Sequence, residues 1–334
     1  SSFCKSMTYQ YLRLAHPKLR EKVGDSLSSD TSLNREDSFL KNYKHSSQKG
    51  YQTKRTYLLK GEKLPPGEFG VMHGYMKIPE LKKVCHAYGV SINEYLVAVY
   101  VWSVYTECMH GMPSERPVRV AVPVNLRPYF NSITTKNFFV MVSAEFHPTK
   151  EIYTFEEVLK SVSESLRSQI SRENLEKLFS YNVSNEKLLA ARIVPLFLKN
   201  LAMRYVYTTS ALANTATVTN IGNISVSEEY RPYVEMFHAF LAMSKGQHLK
   251  GTICSYGDTL VFSFSYDLTD ASVQRGFFRK IAADGIAVEI ETNQATFIYI
   301  YYQQCGLLSM GIFRFSNIFL NSVVEFGEEI RTYV

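Results

Sequence analysis

Apolar residues recur along this chain at two periods, and the changes from one period to the other mark out its elements. Phe3, Met7, Tyr11 and Leu14 fall at helical spacing, and the run stops before Pro17 because a residue ahead of proline is biased out of the helical region. Residues 1–17 therefore read as a helix, one whose beginning is not in view. From 18 to 68 the chain is rich in Ser, Lys, Asp and Asn with little periodicity, and Pro65, Pro66 and Gly67 close it. This stretch is expected to be a long exposed crossing. Residues 69–78 then read as a strand, Pro79 suits a first helical turn, and Gly89 suits a left-handed helix stop. Ser91 and Glu94 make a capping box ahead of the apolar run 95–105, which has the length of a buried helix and is too short for a membrane span.

Strand composition returns at 118–124 and 138–146, two runs of β-branched and aromatic residues separated by Asn125, Leu126, Arg127 and Pro128. Thr154 and Glu157 repeat the capping box and open a helical region to about Tyr207, with Pro195 marking a helix start or kink. Strands are expected at 216–220, 234–241 and 251–255. Gly257 and Asp258 then form a two-residue turn into a strand at 260–266. Asp270 is placed to cap a final helix ending near Gly285, and 287–291 reads as a short closing strand. The order of elements predicts a mixed α/β sandwich, with its main unit at 69–293.

Composition narrows the class of protein. With 334 residues, 46% apolar and 13% aromatic, the chain can bury a substantial core. The net charge of +6 comes from scattered Lys and Arg and reads as a solvated surface, so no nucleic-acid partner is expected. The cluster Lys41, Lys44, Lys49, Lys54 and Arg55 lies in the polar crossing and is read as an exposed loop. Five cysteines without a C-x-x-C pair are too sparse for a disulfide framework, which fits a reducing, cytoplasmic setting. Residues 295–321 are aromatic and apolar, but Gln303, Gln304 and Arg314 interrupt them, so they make a poor membrane span.

No local motif declares a reaction. The chain has no G-x-S-x-G, no Walker loop and no G-x-G-x-x-G, which argues against serine hydrolase, nucleotide hydrolase and dinucleotide oxidoreductase chemistry. Among the histidines, His16, His45 and His248 read as surface or capping residues. His86, His110, His147 and His238 have no Asp, Glu or Cys at metal or triad spacing, and no metal is expected. His73 stands out: it sits in a strand beside Gly74, which permits close approach of a ligand or another backbone, although a hydrogen-bonded core histidine is the plainer reading.

The segment Val122-Pro123-Val124-Asn125-Leu126-Arg127-Pro128-Tyr129-Phe130, followed by Lys136-Asn137-Phe138-Phe139, resembles the P-V-N-L-R-P and R-N-F-F signatures of bacterial alcohol acetyltransferase-like proteins. These are relatives of the chloramphenicol acetyltransferase and condensation-domain superfamily. Glu36-Asp37-Ser38-Phe39, Leu64-Pro65-Pro66-Gly67-Glu68, Pro195-Leu196-Phe197-Leu198-Lys199-Asn200, Thr219-Asn220-Ile221-Gly222 and Ser255-Tyr256-Gly257-Asp258 follow in the family's order. The resemblance covers about residues 3–293.

It implies a fold of two pseudo-symmetric α/β halves around a channel, the second nearly complete here and the first truncated. The implied activity is transfer of an acyl group from CoA, or from a carrier-protein thioester, to an alcohol or amine. Acyl-CoA would be a co-substrate, and no cofactor would be tightly bound. It implies further that the general base belongs to an H-H-x-x-x-D-G motif expected just ahead of Ser1 and absent from this chain, so that these residues alone are expected to be inactive, a non-catalytic remnant or binding module. Asn220 and Gly222 are then expected at the channel, where an amide or backbone N–H supports a developing oxyanion; the plain alternative is a tight turn closing a strand. Asn125 and Arg127 are expected to fix a loop rather than touch substrate, with Asn137 part of the same motif. Residues 294–334 depart from the family pattern and are read as a frame-shifted or disordered tail. Without the first half of the channel, the chain is expected to expose apolar surface.

Overall fold

A computed structural model describes residues 36–44, 55–187, 195–244 and 246–293. The helix expected at 1–17, the tail at 294–334, and Lys49 and Lys54 of the basic cluster lie outside these residues.

Seven strands form one mixed sheet: β1 (Gly70–Lys77), β2 (Val118–Asn125), β3 (Phe139–Phe146), β4 (Ala216–Asn223), β5 (Leu249–Tyr256), β6 (Thr259–Tyr266) and β7 (Val288–Thr292). They lie in the order β3-β2-β4-β5-β6-β1-β7. The pairs β2–β4 and β4–β5 are parallel and the others antiparallel. The β5–β6 hairpin turns through Gly257 and Asp258 with Tyr256 opposite Thr259, and Gly257 takes the positive φ that this turn demands.

The alternation of side chains across each strand gives the sheet two unlike faces. On one face Met72, Met76, Val120, Val122, Val142, Val218, Phe262 and Phe264 are buried in the main core. Three helices cover it: α3 (Ile92–Ser103, continued by one π turn Val104–Cys108), α5 (Phe155–Gln169) and α8 (Ser272–Ala283), numbered with α1 (Ser38–Asn42), α2 (Ile78–Tyr88), α4 (Arg127–Phe130), α6 (Arg172–Lys187) and α7 (Leu196–Ala211). The chain is thus a two-layer α/β sandwich. Gly74 is needed at the layer boundary, because a Cβ there would stand 2.1 Å from the Phe278 ring.

Helix starts follow their sequence signals. Both capping boxes form, Ser91 with Glu94 and Thr154 with Glu157. Gly89 ends α2 with φ 68°, and Pro195 immediately precedes α7. Asp270 stands one residue outside the cap, which is Ala271, and accepts from the Ser272 N–H.

Two expectations need correction. Part of the crossing is packed rather than exposed: Asp37 caps α1, Phe39 meets Phe138 and Phe179 edge-on, and Thr56 and Leu59 are buried. Its polar composition concealed these few anchoring residues. The strand expected at 234–241 does not form. Residues 234–243 instead run as an irregular strap over the second sheet face. Its carbonyls are held there by side chains: Cys254 Sγ donates to Phe237 O, Ser265 Oγ to Leu241 O and Lys250 Nζ to Ala242 O. A segment lying across a sheet face has no strand edge to pair with, so its apolar alternation serves packing and not a ladder.

Candidate functional site

The second sheet face carries most of the chain's unusual chemistry, arranged in rows that cross the strands. One row reads Thr219, Thr252, Ser263, His73 and Glu291 on β4, β5, β6, β1 and β7. The next reads Gly222, Cys254, Val261, Tyr75 and Glu289. Strand spacing of about 4.8 Å puts Gly222 and Tyr75 about 14 Å apart. Between them Ile224, Cys254 and Val261 form a small apolar cluster, covered by Met236, Phe237 and Ala239 of the strap.

His73 is 2% exposed, and its Nδ1 lies 2.6 Å from Ser263 Oγ. Burial, with a smaller contribution from His238, pushes its pKa down to about 3. At that value the imidazole is neutral at physiological pH and too weak a base for efficient proton abstraction. His238, from the strap, lies with its ring centroid 4.7 Å from that of His73 at a tilt of 42°, and its Nε2 lies 2.8 Å from Tyr75 Oη. Tyr75 Oη donates to Glu291, so His238 Nε2 is the donor in its own contact with the phenol. Burial first, then the Glu291 hydrogen bond, raises the Tyr75 pKa. Desolvation lowers the His238 pKa against the opposing pull of Glu291 and Glu235. The assembly is therefore neutral except for its carboxylates, with a phenol held protonated between a histidine and a glutamate.

Nothing in the sequence spacing joins His238 to Glu291 or Tyr75; the strap and the β1–β7 pairing bring them together. The available signal was the i, i+2 relation of His73 and Tyr75, which puts both on one face of β1.

Asn220 and Gly222 lie at the end of β4, on either side of a bulge. Gly222 has φ 83°, and no atom lies within 4 Å of where its Cβ would stand, so the strand end opens outward. The Asn220 Oδ1 accepts from the Gly222 N–H at 2.8 Å, and its Nδ2 reaches Asn93 Oδ1, in the first turn of α3, at 3.4 Å. Asn220 thus faces the helix layer, whereas His73 faces the strap. The fold does not bring the two side chains together.

Asn125, Arg127 and Asn137 flank the β2–β3 connection. Asn125 Oδ1 accepts from the Arg127 backbone and from its guanidinium, both at 3.1 Å; Arg127 also donates to the carbonyls of Thr134 (2.8 Å) and Lys136 (2.7 Å). One planar group with several fixed donors closes the loop. Asn137 is exposed just ahead of β3.

At the far edge of the sheet a cleft of about 770 Å³ separates β3 from α5. There Gln169, Ser165 and Ser161 satisfy the outward backbone groups of Ser143 and Glu145, so helix side chains shield the edge from pairing with another strand. Among the described residues no three His, Cys, Asp or Glu side chains could share a metal ion, and no helix is long and apolar enough to cross a membrane.

No protein-family model and no curated protein matches the chain. Among solved structures it is similar to the epimerization domain from the third module of tyrocidine synthetase B (12% identity, 72% of this chain and 52% of that one, TM-score 0.43). It is also similar to a wax ester synthase/diacylglycerol acyltransferase from Marinobacter aquaeolei VT8 (15%, 69% and 52%, TM-score 0.39). A third is the trichothecene 15-O-acetyltransferase from Fusarium sporotrichioides (14%, 68% and 48%, TM-score 0.46). The chain spans about half the length of these three structures.

Proposed function

We propose that this chain supplies the substrate-channel half of an acyltransferase of the chloramphenicol acetyltransferase and condensation-domain type. In this reading it moves an acyl group from CoA, or from a carrier-protein thioester, to an alcohol or amine. The observation that carries the reading is the Asn220–Gly222 bulge. The segment that the resemblance puts at the channel lies at the end of a central strand, with Gly222 in open space, the Asn220 carboxamide oxygen occupied by the Gly222 N–H, and the exposed Asn220 NH₂ group donating to Asn93 Oδ1 at 3.4 Å with its second N–H free of any such bond among the described residues. An amide fixed in this way is a pre-organised donor for a developing oxyanion. Acetyl-CoA, bound as co-substrate, would supply the activated thioester.

The same structure supports the non-catalytic reading for these residues taken alone. His73, the most deeply buried histidine among the described residues, is held near pKa 3 and hydrogen-bonded to Ser263. The base in this reading is the H-H-x-x-x-D-G histidine carried by other residues. Thiol release from acetyl-CoA with a panel of alcohols and amines tests both statements. The chain alone should show no release above background, and turnover by the chain alone would remove the non-catalytic reading. In a protein that includes the H-H-x-x-x-D-G motif, Asn220→Ala should lower kcat by about 100-fold with KM little changed, as loss of one oxyanion donor does. Unchanged turnover in that variant would sink the oxyanion role.

A further inference from the structure

The strap at 234–243 covers a polar part of the sheet, and two of the groups beneath it are poorly matched. Lys250 is 8% exposed, and among the described residues its ammonium makes one hydrogen bond, to the Ala242 carbonyl at 2.7 Å. An ammonium has three N–H donors, and buried ammonium groups are ordinarily paired with an anion. None of the described carboxylates forms an ion pair with it, and burial lowers its pKa. Thr252 lies two residues further along β5 on the same face. It is 2% exposed, and among the described residues its hydroxyl has no hydrogen-bond partner. Buried hydroxyls are almost always partnered, so an orphan of this kind marks a position where something else can bind.

The row through Lys250 reads Thr217, Lys250, Ser265 and Val71, with no acidic residue. Of the two adjoining rows, one carries the Glu291 carboxylate, three strands from Thr252 and about 14 Å away; the other, just past the end of the β5–β6 ladder, carries Asp267, whose carboxylate is engaged by His248 Nδ1 at 2.8 Å and by Lys63 at 4.0 Å and makes no ion pair with Lys250. Ser265 Oγ, the neighbour of Lys250 across the β5–β6 ladder, is engaged by the Leu241 carbonyl at 2.6 Å. Two neutral strap carbonyls therefore stand over an ammonium and two hydroxyls.

We propose that Lys250, Thr252 and Ser265 form a seat for an anionic group, a carboxylate or a phosphate, and that the strap carbonyls occupy this seat when no anion is bound. An oxyanion offers two or more acceptor oxygens to a desolvated ammonium flanked by hydroxyls, whereas a carbonyl engages one donor weakly. The strap is suited to yield, since it is fastened by side-chain bonds and no strand ladder. Binding and strap release are then linked, because the anion and the strap compete for the same donors. The seat does not depend on acyl transfer.

Cys254, fully buried with its thiol on Phe237 O, reports whether the strap is in place. The full chain is treated with iodoacetamide in inorganic phosphate, in acetate and in chloride at matched ionic strength. Alkylation is read by peptide mass spectrometry, with buried Cys85 as the internal control. Phosphate or acetate should speed Cys254 labelling several-fold over chloride and leave Cys85 unchanged; the larger response identifies which anion fits. Thr252→Val keeps the shape of the side chain, should fold at least as well, and should lose most of the response. Lys250→Arg should retain it and Lys250→Met should not. Equal labelling in all three salts, or an undiminished response in Thr252→Val, overturns the proposal.

Discussion

His73 links the interior of the sheet to pH. Its pKa is about 3 in the folded chain against an ordinary 6.5. Between these values the unfolded chain binds a proton that the folded chain refuses. Stability from this group is therefore fully present above about pH 6.5 and declines as pH falls toward 3, by about 1.4 kcal/mol per pH unit. His238, also lowered, adds to the decline in the same direction, while Tyr75, Glu291, Glu289, Glu235 and Ser263 face the pair from β1, β7, the strap and β6. Urea unfolding followed from about pH 7.5 down to about pH 4.5 should show the fall, and His73→Gln should flatten it. An equal slope in the variant would mean that other groups carry the acid sensitivity.

The start of α3 shows how an element is secured by few atoms. Ser91 Oγ accepts from the Glu94 N–H, the Glu94 carboxylate accepts in turn from the Ser91 N–H at 2.8 Å, and Arg167 of α5 donates to the same carboxylate at 2.5 Å. One glutamate thus both caps a helix and ties it to its neighbour, and the pair lowers its pKa despite partial burial. Ser91→Ala should cost about 1 kcal/mol, measured by denaturant midpoint, since one of the orphan N–H groups of the first turn loses its acceptor. The strap illustrates the converse case. It has the apolar spacing of a strand, but the positions that would receive it are already paired on both sides, so it crosses the sheet instead.

At the scale of the whole molecule, α7 presents a row of large apolar side chains to solvent. Leu196, Phe197, Leu201 and Tyr205 are each about 70% exposed, Tyr207 is more than half exposed, and the helix carries no acidic residue. An apolar surface of this kind favours association. Size-exclusion chromatography with light scattering should show mass rising with concentration, and Leu196→Lys with Leu201→Lys should reduce it. A monodisperse monomer at all concentrations would contradict this expectation.

Most of the element order, both capping boxes and the Gly257–Asp258 hairpin were legible from the chain alone, because each rests on contacts between residues close in sequence; the α/β class was legible from the succession of strand and helix patterns. The hydrogen bonds of Arg127 are equally local, with every partner within ten residues. The strap, the Tyr75–His238–Glu291 network and the Lys250–Thr252 pair were not legible. Their partners are separated by more than a hundred residues in the network, and by strand order and face in the rest. Local periodicity says which side of a strand a residue occupies. Which strand becomes its neighbour, and what lies across that face, depends on the burial of all seven strands together.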